Sequence, residues 1–204
     1  MNDLEFIEES HQYLYKGVLI PCVSEIIGFK FPNTYEGIPK HILAKKAEYG
    51  TKTHEIVEKV LMEKMTLDEV NNMNINPTIK VSAQLAKELC RKWFLKPKAV
   101  EQKVCYKGKY AGTFDFITED DFITDIKTTS SLHIDNETLQ APLNLQISLY
   151  YMAAGIKKDY GYVLWLPKNG DAKIQQVNCW NWNDLKELVK EYEKSKKQSY
   201  KYKS

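Results

Sequence analysis

Arginine is almost absent from this 204-residue chain: lysine supplies 28 of its 29 basic residues, and Arg91 stands alone. Arginine is the better bidentate phosphate ligand, so the bias points to genome-level composition rather than to a phosphate-fork design. Net charge is also small, at +2, so total charge by itself announces no polyanionic partner. Cysteine is sparse. Cys22, Cys90, Cys105 and Cys179 form no CxxC pair, which argues against a zinc or iron–sulfur site and against a disulfide scaffold. No apolar run approaches 20 residues and no signal-peptide pattern opens the chain, so neither a membrane span nor secretion is expected. A reducing cytoplasmic setting fits. There is no internal repeat.

What is present is ordinary for one α/β core: 43% hydrophobic and 27% charged residues in a length too short for two usual domains. The informative stretch runs from Glu101 to Lys127. Strand-forming residues from Val100 to Tyr106, Tyr110 to Thr118 and Phe122 to Lys127 are separated by Lys107-Gly108-Lys109 and Glu119-Asp120-Asp121. If both turns are simple hairpins, Glu101 falls opposite Asp115 and Asp115 opposite Asp125. Lys127 joins the row two residues on. Three carboxylates so aligned repel unless something compensates them. A divalent cation such as Mg²⁺ does so, taking carboxylate oxygens and retaining waters, and a neighbouring lysine can position one of those waters. The plainer reading of any one of these carboxylates is a solvent-facing partner for Lys127, worth little; the aligned set favours the metal site.

Around this core the pattern predicts an N-terminal hairpin or meander from Leu4 to Ile20, ended by Pro21, with Ser24 capping a short helical turn. A proline- and glycine-containing loop from Gly28 to Pro39 follows, either substrate-facing or packed on the domain. Helical periodicity runs from Lys40 to Lys64, with an interruption at Gly50-Thr51, and puts His54 on the apolar side. A lone histidine there is more often a core residue than a ligand. Asp68 to Pro77 reads as a polar surface loop, Thr78 to Lys96 as a helix stopped by Pro97, and Thr128 to Pro142 as a polar connection. A helix from Leu143 to Ala154 carries Gln146 and Tyr150 on one face. Strands Tyr160–Leu166 and Ala172–Val177 flank a Pro167-Lys168-Asn169-Gly170 turn, and a helix from Trp182 to about Tyr192 precedes a basic tail with Tyr200 and Tyr202. That tail is a solvated end or a segment that follows a nucleic-acid backbone.

Gly112-Thr113-Phe114-Asp115 on one strand and Asp125-Ile126-Lys127 on the next resemble the PD-(D/E)XK nuclease signature. Gly50 to His54 is similar to the GxxxH motif of its RecB-like members, Gln146 to Tyr150 to their QxxxY motif, and Glu101 stands where that group carries a glutamate. The opening HQYLYKGVLIPCVSEII is similar to that of phage-encoded members. The matches span residues 5 to 150; the proline before Asp115 is missing.

The resemblance implies a restriction-endonuclease-like α/β core, a central mixed sheet flanked by helices. It implies one nuclease domain over 1–204: hairpin and loop 1–38, catalytic core 39–192, basic tail 193–204. Asp115, Asp125, His54 and the Ile126 carbonyl are then the ligands of Mg²⁺ or Mn²⁺. Lys127 positions or activates water, Glu101 assists, and Gln146, Tyr150, Thr128 and Thr129 support the site or meet DNA. No iron–sulfur cluster is expected, because Cys179 alone lies toward the C-terminus. The implied activity is that of a DNA exonuclease in phage-type recombination or processing, with a structure-specific or restriction-type endonuclease and an inactive nucleic-acid-binding module as alternatives. DNA is the implied partner. The resemblance leaves room for a single-strand annealing or single-strand binding protein and for a homo-oligomer.

Overall fold

A computed structural model describes residues 3–32, 40–129, 137–169 and 171–201. Most of the 28–39 loop, Ser130 and Ser131, Gly170 of the hairpin turn, and Tyr202 lie outside the described residues. The central element is the expected meander: β-strands Pro97–Tyr106, Tyr110–Thr118 and Ile123–Thr129, joined by turns in which Lys107, Gly108 and Asp121 take positive φ. With three short N-terminal strands counted first, these are β4, β5 and β6. Two more, β7 (Tyr160–Pro167) and β8 (Lys173–Asn178), complete a five-stranded mixed sheet of order β4-β5-β6-β7-β8. All neighbours pair antiparallel except β6 and β7, which run parallel. A parallel pair needs a crossover, and a long helix from Glu137 to Ala154 supplies it.

Helices cover both faces. Val23–Lys30 (α1), the crossover helix (α5) and Trp182–Lys201 (α6) enclose one core around Phe114, Ile123, Leu149 and Val163. Lys40–Leu61 (α2), Leu67–Asn72 (α3) and Pro77–Lys92 (α4) enclose the other around Val57, Ala83, Phe116 and Leu164. The N-terminal strands β1 (Leu4–Ile7), β2 (Gln12–Tyr15) and β3 (Val18–Ile20) form a separate antiparallel sheet. It packs on the β4–β5 hairpin through Tyr13, Ile20 and Ala111, with Tyr13 OH 2.8 Å from Thr113 Oγ1.

Several expected boundaries move, each for a local reason. The 68–77 segment contains α3, because Thr66 and Glu69 build a capping box: Glu69 N–H donates to Thr66 Oγ1 at 3.2 Å, and Thr66 N–H to Glu69 at 2.7 Å. α2 continues through Gly50-Thr51, where the helix needs space rather than a break. Cys22, not Ser24, occupies the N-cap of α1. α4 ends at Lys92, and Pro97 opens a strand instead of stopping a helix. α6 runs on to Lys201, so the start of the expected basic tail is helical; lysine, glutamate and glutamine are good helix formers.

Around the site the register is as the turns predict, and it shifts only farther out, between Pro97 and Ala99. Val100 pairs Phe116, Gln102 pairs Phe114, and Phe116 pairs Thr124, so Glu101, Asp115 and Asp125 share one level across three strands. The faces, however, do not alternate regularly there. Phe114 and Phe116 are two apart and would share a face of a regular strand, yet they enter opposite cores. Val100 and Val104 are divided in the same way. Both strands slip at the Glu101–Asp115 level, where Glu101 carries a φ of 50°. Because both slip together, the pairing on either side is preserved. Positive φ at a side-chain-bearing residue is an uncommon, costly conformation. It marks this level as the place where the sheet departs from regularity.

Gly112, three residues before Asp115, has no room for a side chain. A Cβ there would lie 2.8 Å from both Tyr150 Cε1 and Val23 Cγ2. Gly112→Ala is expected to cost about 1–3 kcal/mol through overpacking and to lower Tm by several degrees in thermal unfolding. An unchanged Tm would show that Tyr150 moves aside freely.

Candidate metal centre

α2 brings two side chains to the irregular level of the sheet. His54 and Glu58 are four residues apart and so share a helix face. α2 lies close enough to β6 that a Cβ on Gly50 would come within 3.3 Å of Thr128 Oγ1. His54 Nδ1 stands 3.2 Å from Asp115 Oδ1. Asp115 Oδ2 accepts the Ile126 N–H, so the carboxylate bridges the gap beyond the last ladder pair, Phe116 with Thr124. Ligand atoms of His54, Glu58 and Asp115 all lie within 4.8 Å of one another.

Asp125 is served from the other layer. Gln146 Nε2 donates to Asp125 Oδ1 at 3.0 Å and to Tyr150 OH at 3.2 Å, which makes the two α5 residues one unit. Lys127 Nζ lies 2.7 Å from Asp125 Oδ2. The expected row of carboxylates on one sheet face is therefore only part of the arrangement. Asp125 and Lys127 share a face, and Asp115 is met by α2.

Burial makes the cluster electrostatically tense. Glu58, Asp115 and Asp125 expose only 6%, 9% and 3% of their surface, and an ionised carboxylate is costly to bury without partners. Burial, reinforced by the nearby charges of Glu101 and Asp115, pushes the Glu58 carboxyl up to about 8. Burial, together with Asp115, also raises Asp125 against the pull of Lys127. Asp115 goes the other way. Burial works to raise it, but His54, Lys127 and the Ile126 N–H together hold it below the usual range. His54 loses by burial and gains more from Asp115 and Asp125, so its value is raised.

The structure thus brings together His54, Asp115, Asp125, Lys127, Gln146 and Tyr150. Glu101 sits at the level of Asp115 but is exposed and acts on Glu58. Ile126 contributes its N–H, while its side chain is buried in the α2–α4 core. Thr128 and Thr129 lie at the end of β6, paired with Leu166 and Pro167 of β7, and Thr129 O accepts the Lys168 N–H at 2.8 Å.

Sequence reasoning missed Glu58. Its signal was its place four residues after His54, hidden because it interrupts the apolar run Ile56-Val57 and Val60-Leu61. Its Oε1 is buried and has no hydrogen-bond partner. An orphaned carboxylate oxygen beside an imidazole and a second carboxylate is the donor set a divalent cation satisfies, so these residues fit a metal ion.

No family model matches the chain, and no curated protein matches it. Among solved structures, one described as "Crystal structure of SSO0001" aligns over 76% of this chain and 85% of that chain, at 14% identity and a TM-score of 0.35. Among the described residues no helix is long and apolar enough to cross a membrane.

Proposed function

We propose that this chain is a metal-dependent DNA nuclease of the PD-(D/E)XK type with a restriction-endonuclease-like core, acting as an exonuclease in phage-type recombination or DNA processing. The observation that carries the reading is the meeting of His54, Glu58 and Asp115 within 4.8 Å, next to an Asp125–Lys127 pair at 2.7 Å. His54, Glu58, Asp115 and Asp125 would hold a Mg²⁺ or Mn²⁺ ion. When bound, such an ion polarises a phosphoryl oxygen and lowers the pKa of its water.

The chain's own residues do the rest. Lys127 keeps a cationic Nζ at the carboxylates, where it can hold a water or steady charge developing on the phosphate. Asp125 fixes that ammonium, and Gln146 fixes Asp125 from behind. Tyr150 ties Gln146 to the sheet beside Gly112. His54 pins one oxygen of Asp115 while the Ile126 N–H pins the other, so the carboxylate cannot rotate.

The test compares linear with covalently closed circular DNA, each single- and double-stranded, with Mg²⁺, Mn²⁺ or chelator. Cation-dependent loss of linear DNA alone is the expected result. Cutting of circles would replace the exonuclease by an endonuclease, and DNA bound but uncut in every lane would overturn the catalytic reading.

A further inference from the structure

At the other end of β6 lies a surface with no part in the metal centre. A groove of about 870 Å³ opens between the loop after α5 and the loop before α6, lined by Phe122, Tyr160, Trp180 and Trp182 together with Lys157, Lys158 and Lys186. Three lysines face one acidic residue, Asp159, so the lining is net cationic. Among the lining rings, Phe122 stacks on Tyr160 at 5.0 Å.

Lysines lie over these rings: Lys158 Nζ over Phe122 at 4.3 Å, Lys157 over Trp182 at 5.5 Å, and Lys30 over Trp180 at 5.9 Å. The loops are held in place, with Trp180 N–H donating to Ser148 Oγ at 2.8 Å and Cys179 N–H to Asp159 O at 2.7 Å.

We propose that this groove binds single-stranded nucleic acid, with bases stacked on Trp180, Trp182 and the Phe122–Tyr160 pair, and phosphates held by Lys157, Lys158 and Lys186. Half-buried rings on fixed loops are stacking platforms, and every base has a π-face that fits them. Each lysine now over a ring can swing to a phosphate and leave the ring free for a base. Asn181 and Asn183, exposed on the same rim, offer both donors and acceptors. An acidic peptide would satisfy the lysines and leave the flat rings uncovered. Phe122 precedes Asp125 by three residues, about 10 Å of strand. The proposal concerns the same substrate as the nuclease reading, but binding in the groove does not depend on cleavage.

The test measures fluorescence anisotropy of a labelled oligothymidylate with the full chain in chelator, so that no strand is cut. Lys157→Glu with Lys158→Glu is expected to weaken binding at least tenfold and to flatten its salt dependence, which runs at about −0.7 per phosphate engaged. Trp182→Ala is expected to weaken it roughly tenfold. Lys157 is exposed and Lys158 half-buried with its Nζ over Phe122, and neither lies in a core, so the pair remains informative if Trp182→Ala fails to fold. Binding within twofold of the parent in the lysine variant overturns the proposal. So does a variant that keeps the oligonucleotide but loses an acidic peptide bound by the parent.

Hydrolysis of bis(p-nitrophenyl) phosphate, too small to span the groove, separates the two readings. Groove variants should retain it. Its absence from the parent chain, with groove-dependent binding intact, would count against the nuclease alone.

Discussion

Lys127→Ala is expected to lower DNA cleavage by roughly 10²- to 10³-fold, the range for loss of one group that stabilises charge in the transition state, while the fold persists. The argument rests on what Lys127 touches. Its Nζ is 2.7 Å from Asp125 Oδ2, and Asp125 is 3% exposed. Without the ammonium, that carboxylate keeps Gln146 as its hydrogen-bond donor and sits beside Asp115, whose charge already raises its pKa. The relief available to it is to take up a proton.

A protonated Asp125 costs the fold little, but it removes negative charge from the proposed metal centre, and the substitution itself removes a cation from the site of attack. Circular dichroism should therefore be unchanged and the loss should appear in turnover. Asp125→Asn, which keeps shape and loses charge, should fall by a comparable factor. Activity above one tenth of the parent in either variant would remove Lys127 and Asp125 from the chemistry.

The strands of this site were legible because the turn residues Lys107-Gly108 and Glu119 to Asp121 fix hairpin register, and register fixes which residues meet. Val100 with Phe116 and Phe116 with Thr124 fall where reflection about the turns puts them. The slip of faces at Glu101 and Asp115 was not legible. Alternation is a pattern of side chains, and a paired slip leaves the register untouched. The helical layer was partly legible. His54 shows as a polar residue at an apolar position, but a charged residue such as Glu58 at the same periodicity reads as noise until the helix is seen to face a carboxylate. Short capped helices are lost for another reason: α3 depends on the Thr66–Glu69 capping box, and its six residues are too few for periodicity to register. Glycine disfavours helix interiors, so Gly50-Thr51 in the sequence looks like an interruption of the helix. Gly50 is tolerated because α2 approaches Thr128 closely there.

Glu58 supplies a test that does not depend on activity. Its carboxyl is held at about 8 against an ordinary 4.5, so between those values the folded chain keeps a proton that the unfolded chain has released. Stability contributed by that proton is lost as pH rises through this window. Asp125, raised from 3.8, and His54, raised from 6.5, act in the same direction. Asp115 is lowered, so its contribution is present above 3.8 and lost only as pH falls.

In chelator, the thermal midpoint should therefore decline from pH 5.5 to 8.5, with a slope of at most about 1.4 kcal/mol per pH unit for each proton involved. Glu58→Gln keeps the shape and removes the titration, so it should flatten the decline and raise the midpoint at pH 8. Divalent cation should act oppositely. It competes with the proton for the orphaned Oε1, so Mg²⁺ or Mn²⁺ should raise the parent's midpoint most at alkaline pH and that of Glu58→Gln far less. A pH slope identical in the two chains, or an equal shift with cation, would mean that Glu58 is a strained core residue and no ligand.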